Sequence, residues 1–165
     1  MVRRDLPEVI AIEQTCFEFP WSEEDFLDCL RQRNCIGMVA EHEGHVVGFM
    51  IYEVPKNRIH LLNMATAPEH RRRGVAGQMV QKLIGKLANQ KRSKIVLEVR
   101  ETNLPALLFF RTIGFRATNI LRNFYEDKQE DAYLMQYRLS VEQTRPEYVS
   151  ANRMNGVSPE DIFVT

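Results

Sequence analysis

Apolar residues recur at three- and four-residue spacings over the first thirty positions, which is typical of amphipathic helices packed on a core. The first helix is expected from about Asp5 to Phe17. Ser22 is followed three residues later by Asp25, a capping-box-like pair, and an apolar stripe begins at Phe26. The sequence therefore predicts two helices separated by a short loop that contains the letters FPW.

At about residue 35 the pattern changes to short apolar runs of the kind found in β-strands. Residues 36–40 and 46–54 form two such runs, and the tight turn between them contains Glu43-Gly44-His45. A third run follows at about residues 58–67. Together they predict three strands of one sheet.

The second half alternates between the two patterns. First comes a helix whose apolar positions have the spacing of a helix packed on a sheet, followed by a short apolar strand. A second helix then begins at a Leu-Pro pair and ends at a glycine, and two more strands follow it. These elements are expected at about residues 74–88, 94–99, 104–114, 115–125 and 132–139. The whole order predicts an α+β fold with helices on both faces of a sheet.

Length and composition fit one globular domain over residues 1–140, with an appended tail of uncertain order at 141–165. Because 22 Lys plus Arg balance 22 Asp plus Glu, the zero net charge disfavours a nucleic-acid binder. No apolar run approaches the length of a membrane span, and the N-terminal residues lack the pattern of a signal peptide. We expect a cytoplasmic protein with neither a nucleic-acid nor a membrane partner.

The cysteines and histidines point away from metal and disulfide chemistry. Cys16, Cys29 and Cys35 are odd in number and lack CxxC spacing, and the four histidines show no metal-ligand spacing. Two of the cysteines fall near apolar helix faces, where a thiol packs as a small hydrophobe. We predict no metal site and no cysteine nucleophile.

The most informative stretch is residues 63–77, where a strand passes through three arginines and small residues into a helix. Uncovered backbone N–H groups at a helix N-terminus, with arginines nearby, suit a pyrophosphate. The stretch lacks both the Gly-Lys-Ser/Thr of a Walker loop and the first Gly-x-Gly of a dinucleotide fingerprint. Nucleoside triphosphates and NAD are therefore disfavoured.

This stretch resembles the coenzyme A loop of the GNAT acetyltransferases, in which Gln or Arg is followed by two residues, Gly, one residue, and Gly or Ala. Arg71, Gly74 and Ala76 match it. The similarity continues from residue 3 to about 139 through three further motifs and is greatest to the RimI group of protein N-terminal acetyltransferases. Those motifs are FPWS at 19–22, LEVRETN at 97–103 and RNFYED at 122–127.

The resemblance implies a GNAT (acyl-CoA N-acyltransferase) fold with a mixed, mostly antiparallel sheet, and acetyl-CoA as co-substrate. It implies that the backbone of Met64, Ala65 and Thr66 binds the pantetheine arm. Asn103 is expected to contact coenzyme A and, from its position, also suits a helix N-cap. The pyrophosphate is expected on Arg71, Arg72, Arg73, Gly74, Val75, Ala76 and Gly77.

Glu98 is an ionisable residue between Leu97 and Val99 in a strand that otherwise reads as buried. A carboxylate there needs water or a hydrogen-bond donor and is suited to take a proton from an ammonium nucleophile. The resemblance assigns the same position as the general base. The alternative is a glutamate that faces solvent from one side of the strand.

The aromatic residues carry one departure from the family. Where the family has a tyrosine that serves as general acid, this chain has Phe110, which has no proton to give. Either the thiolate leaves without a positioned donor, which we favour, or Tyr125 takes the role. The resemblance also places Phe19, Trp21 and Tyr125 in the acceptor groove, although each equally suits an ordinary core position.

The family suggests a protein N-terminus as the acetyl acceptor, in particular a ribosomal small-subunit protein with N-terminal alanine. An acetyltransferase of small amines is the main alternative, because the coenzyme loop is common to all such enzymes. A non-catalytic acyl-CoA-binding module is a second alternative, which Phe110 and the tail make plausible. A nucleic-acid binder that uses the arginine cluster is the weakest.

Overall fold

The computed structural model describes residues 1–89, 92–139 and 163–164. Their helices are α1 (Leu6–Cys16), α2 (Glu23–Arg31), α3 (Val75–Asn89) and α4 (Leu104–Ile113). Their strands are β1 (Cys35–His42), β2 (His45–Glu53), β3 (Arg58–Thr66), β4 (Lys94–Arg100), β5 (Arg116–Tyr125), β6 (Glu130–Arg138) and β7 (Phe163–Val164). The predicted order of helices and strands over residues 1–139 is confirmed.

Two helices begin at side-chain capping hydrogen bonds that the sequence predicts. At α2 the Ser22 hydroxyl accepts from the backbone N of Asp25 at 3.2 Å, and the Asp25 carboxylate accepts from the backbone N of Ser22 at 2.8 Å. At α4 the Asn103 side chain accepts from the backbone N of Ala106 at 3.2 Å. These bonds satisfy N–H groups that have no partner within their own helix. Asn103 is thus an N-cap, as predicted.

The sheet is mixed and mostly antiparallel, with the strand order β5-β6-β4-β3-β2-β1-β7. Only the β3–β4 pair, among the strands described, is parallel. Helices α1 and α2 cover one face with a core around Val9, Phe26 and Phe49, while α3 and α4 cover the other face. The predicted arrangement of helices on both faces is confirmed.

The central parallel pair opens into a cleft. Strands β3 and β4 pair only at their first residues, from Arg58 with Lys94 to His60 with Val96. Beyond His60, β3 continues to pair with β2 as far as Thr66, while β4 continues to pair with β6 as far as Arg100. The outer halves of the two strands therefore diverge, which leaves β3 with an unpaired edge in the middle of the sheet.

Two details near the chain's end differ from or extend the prediction. Strand β6 begins at Glu130, two residues before the expected start, because the carboxylates of Glu130 and Asp131 are buried against hydrogen-bond donors. Within the predicted tail at 141–165, only 163–164 are described, and they pair antiparallel with Ala40 and Glu41 of β1. The remaining tail lies outside the described residues. None of the helices described is long and apolar enough to cross a membrane.

Candidate active site

Strand β4 presents Glu98 on the sheet face opposite α3 and α4. Ile95, Leu97 and Val99 alternate into the core under those helices, so Glu98 points to the other side. Its side chain is 16% exposed, and its Oε2 lies 2.7 Å from Nε2 of His60 on β3. Glu98, the predicted base, is therefore mostly buried and has His60 as a hydrogen-bond partner. It lies where β3 and β4 stop pairing.

Two residues further along β4, Arg100 contacts aromatic and acidic side chains on the side of the cleft away from β3. Its guanidinium lies 3.9 Å from the centre of the Tyr125 ring and 5.8 Å from that of Phe19. It also pairs with Asp127 and Glu130 of the β5–β6 hairpin. Hydrogen bonds from Arg100 hold the pKa of Asp127 below its ordinary value. The ion pairs thus fix the stacked aromatic residues in place.

Tyr125 lies next to the candidate base. Its hydroxyl donates to the backbone carbonyl oxygen of Glu98 at 3.4 Å. Burial raises the pKa of Tyr125 to about 12, against the opposing effect of Arg100. The phenol therefore keeps its proton at neutral pH.

A cavity of about 210 Å³ adjoins these residues. It brings together Phe19, which was predicted to bind the acceptor, and Asn103, which was predicted to bind coenzyme A. Glu18 and Lys128 form an ion pair of 2.5 Å that joins the α1–α2 loop to the β5–β6 hairpin at this cavity. The lining residues are Cys16, Phe17, Glu18, Phe19, Arg100, Thr102, Asn103, Lys128 and Glu130.

The predicted pyrophosphate loop is an exposed turn that leads into α3. Gly74 has φ +88°, a conformation that favours glycine, and Arg72 has φ +62°. A Cβ built on Gly74 or Gly77 would meet no atom within 4 Å, so the backbone here is open to a ligand. Backbone N–H groups at the start of a 15-residue helix suit a phosphate group. Val75, also predicted in this loop, packs its side chain into the core.

Arg71 ties this loop to the unpaired end of β3. Its Nε donates to the Thr66 carbonyl oxygen at 3.3 Å, and its Nη2 donates to the Cys16 sulfur at 3.1 Å. The Thr66 hydroxyl is buried without a hydrogen-bond partner among the described residues. A polar ligand along this edge of β3 would supply the missing partner, which fits the pantetheine amides expected there.

Two further predicted site residues, Trp21 and Phe110, pack their side chains into the hydrophobic cores and do not line the cavity. The Trp21 ring packs edge to face on Phe26 at 5.3 Å. Phe110 is 7% exposed and packs on Phe109 and Phe115 at 5.1 and 5.2 Å. Both side chains contribute to the cores that support the cleft.

Sequence reasoning missed His60 and Arg100. Each had a signal, because each is a charged or titratable residue within an otherwise apolar strand, as Glu98 is. Their importance depends on the pairing of distant strands. Among the described residues, no group of three or more His, Cys, Asp or Glu side chains could hold a metal ion.

Comparisons with known proteins identify the family of the chain. The model of the acetyltransferase (GNAT) family matches residues 6–115. The chain belongs to the GNAT acetyltransferase family. This GNAT protein is an N-acetyltransferase, and acetyl-CoA is its co-substrate.

Individual relatives of this GNAT protein include N-terminal acetyltransferases. It is 32% identical over 139 residues to the ribosomal protein bS18-alanine N-acetyltransferase of Escherichia coli, covering 83% of this chain and 93% of that one. It is 27% identical to an N-alpha-acetyltransferase of Sulfurisphaera tokodaii, covering 79% and 86%. A crystal structure of the E. coli bS18-alanine enzyme superposes with a TM-score of 0.77 at 30% identity, covering 85% and 91%.

Proposed function

We propose that this GNAT enzyme acetylates the α-amino group of a protein N-terminus, and that the acceptor is the N-terminal alanine of a ribosomal small-subunit protein. The similarity to an enzyme named for ribosomal protein bS18 supports this acceptor. The observation that carries the chemistry is the position of Glu98. Its carboxylate lies at the fork of β3 and β4, two residues before Arg100, which lines the cavity.

In this proposal the acetyl donor lies along the unpaired edge of β3. The backbone of Met64, Ala65 and Thr66 pairs with the pantetheine arm as an added strand would. The exposed turn and the α3 N-terminus bind the pyrophosphate. The Asn103 side chain caps α4 at the cavity that adjoins the reacting groups.

Glu98 then acts as the general base. It takes a proton from the acceptor ammonium, and the freed nitrogen lone pair forms the bond to the acetyl carbon. The carbon–sulfur bond breaks, its electron pair leaves with the sulfur as a thiolate, and the attacking nitrogen gives up its remaining extra proton to solvent water as the neutral amide forms. His60 orients the Glu98 carboxylate through the 2.7 Å contact between Nε2 and Oε2. Backbone N–H groups of Met64 to Thr66 stabilise the charge that develops on the acetyl oxygen.

The leaving thiolate needs no positioned proton donor in this mechanism. Phe110 cannot supply one, and the Tyr125 hydroxyl already donates to the carbonyl oxygen of Glu98. Tyr125 instead forms a wall of the acceptor site with Phe19, and Arg100 lies between their rings. The preference for alanine as the first residue is proposed from the similarity to the bS18-alanine enzyme.

Cys16, Cys29 and Cys35 are all free thiols, so the mechanism involves no disulfide. We propose a reducing cytoplasm as the setting of the enzyme, where free thiols persist.

The direct test is to incubate the enzyme with acetyl-CoA and short peptides that differ only in their first residue, with polyamines as competing acceptors. Thiol release gives the rate, and mass mapping locates the acetyl group. A single acetyl on the α-amino group, with alanine preferred, supports the proposal. Transfer to polyamines alone assigns a small-amine acetyltransferase. Binding of acetyl-CoA without thiol release from any acceptor contradicts catalysis.

A further inference from the structure

The second half of α1 contacts both sides of the candidate active site. Glu13 is 1% exposed, and its Oε1 accepts from the backbone N of Trp21 at 2.9 Å and from Nδ2 of Asn63 at 3.1 Å. Trp21 belongs to the loop that carries Phe19. Asn63 directly precedes the segment of β3 proposed to bind the pantetheine arm. One carboxylate oxygen thus joins the acceptor loop to the donor strand.

The outer half of β3, the proposed donor strand, depends on such contacts because none of the described strands pairs with one of its edges. Beyond His60 it has no β4 partner, so β2 and side-chain contacts, among them those of α1 and Arg71, hold it. Cys16, one turn after Glu13 on the same helix face, donates to the Thr66 carbonyl oxygen at 3.5 Å. Glu13 differs from Cys16 because it also hydrogen-bonds the acceptor loop.

Burying the carboxylate of Glu13 costs free energy. Its second oxygen, Oε2, is buried without a hydrogen-bond partner among the described residues, and burial raises the pKa of the carboxyl group. A buried carboxylate with an unmatched oxygen loses its hydration, whereas a glutamine could accept the same two hydrogen bonds without a charge. The acceptor oxygen that joins Trp21 to Asn63, and not the charge, is therefore what this position contributes to the site.

We propose that Glu13 is a positioning residue that couples the two substrate sites, so that acetyl-CoA bound along β3 fixes Asn63 and thereby orders the acceptor loop through Trp21. The inference rests on the proposed function. Because coupling between two binding sites is reciprocal, the peptide must strengthen acetyl-CoA binding by the same factor. A coupling of about tenfold lies within the usual range.

The test uses calorimetry and the emission of Trp21, which is the single tryptophan of the chain. Coenzyme A serves as a donor that cannot react, and an alanine-first peptide serves as the acceptor. In the wild-type protein, coenzyme A should tighten peptide binding about tenfold and change the Trp21 emission. Asn63→Ala and Glu13→Ala should reduce the coupling to about one while each ligand alone binds as before. Glu13→Gln, which keeps an acceptor oxygen, should retain the coupling.

Glu8→Gln is the matched control. Glu8 lies on the same helix but accepts from the backbone N of Val46 in the β1–β2 hairpin, at 2.5 Å. This change should leave the coupling intact. If Asn63→Ala keeps the full coupling and emission change, Glu13 has no coupling role, whether or not Glu13→Ala folds. Failure of the wild-type protein to bind coenzyme A would instead contradict the proposed function itself.

Discussion

Glu98 and His60 share a hydrogen bond at the residue pair where the parallel strands diverge. This contact fixes the orientation of the carboxylate that is proposed to act as the general base. Glu98→Gln should therefore lower kcat about 100-fold or more, the usual effect of losing a general base, with little change in acetyl-CoA binding. Steady-state kinetics and calorimetry measure the two quantities.

The control for Glu98→Gln is Glu101→Gln. Glu101 is exposed just beyond the end of β4 and has no role in the proposed mechanism. Its replacement should leave kcat within about twofold, since surface changes away from special contacts have small effects. Equal losses in both variants would remove Glu98 from its proposed role.

Phe110 tests whether the reaction needs an acid. It packs between Phe109 and Phe115 where the family has a tyrosine. If the thiolate leaves unaided, Phe110→Tyr should change kcat by less than about threefold, because general acid catalysis is usually worth much more. The pH dependence of kcat should also keep its shape. A gain of ten times or more would show that this chain lacks a useful acid.

The charge of Glu13 should appear in the pH dependence of stability. Burial raises its pKa above the ordinary 4.5, so the folded state holds the proton more tightly than the unfolded state. Its contribution to stability is full below the ordinary pKa and is lost as the pH rises through the raised pKa. Glu13→Gln should therefore gain in Tm relative to the wild-type protein as the pH rises from about 4 to about 8. A constant difference across thermal melts in that range would contradict this account.

Two loops meet over the proposed acceptor cavity through the ion pair of Glu18 and Lys128. Both side chains are about half exposed or more, so the pair is worth about 1 kcal/mol or less and is screened by salt. Lys128→Ala should raise the KM for the peptide about two- to fivefold at low salt, with the difference shrinking as salt is added. The KM for acetyl-CoA should not change.

Arg31→Ala is the matched control for Lys128→Ala. It breaks an exposed ion pair with Asp28 on α2, which lies away from the cavity. Peptide KM should be unaffected in that variant at any salt concentration. A rise in KM of similar size in both variants would show a general charge effect on peptide binding.

The elements themselves could be predicted because their signals are local. The Ser22–Asp25 capping box marks the start of α2, and the left-handed conformation of Gly114 marks the end of α4. The start of β6 could not be predicted, because Glu130 reads as a turn residue until Arg100 and Thr102 pair with it. The local pattern of apolar and polar residues does not predict ion pairs between residues on different strands.

The candidate site was predictable only in part for the same reason. Glu98 stood out within its own strand, and the loop that begins at Arg71 matched a family motif. The contact of Glu98 with His60 depends on the register of β3 against β4. The double contact of Glu13 depends on how α1 packs over β3. Neither the register between strands nor the packing of a helix on a strand can be predicted from the spacing of apolar residues.

Part of one edge strand of the sheet, β1, is covered by a short segment from the end of the described chain. The two residues of β7 pair with Ala40 and Glu41 on the outer side of β1. An unpaired edge strand exposes a row of N–H and C=O groups that can pair with another copy. Ile36, an exposed apolar residue on the same strand, would add to such an association.

Ending the chain after residue 161 should therefore promote self-association without reducing turnover, because β1 is separated from the β3–β4 cleft by β2. Light scattering and sedimentation should show dimers or larger species at concentrations where the full chain is monodisperse. Adding Ile36→Lys to the shortened chain should reverse the change, since a charged edge disfavours strand pairing between copies. A shortened chain that stays monodisperse would mean that β1 needs no cover, and a loss of turnover would mean that β7 supports the cleft.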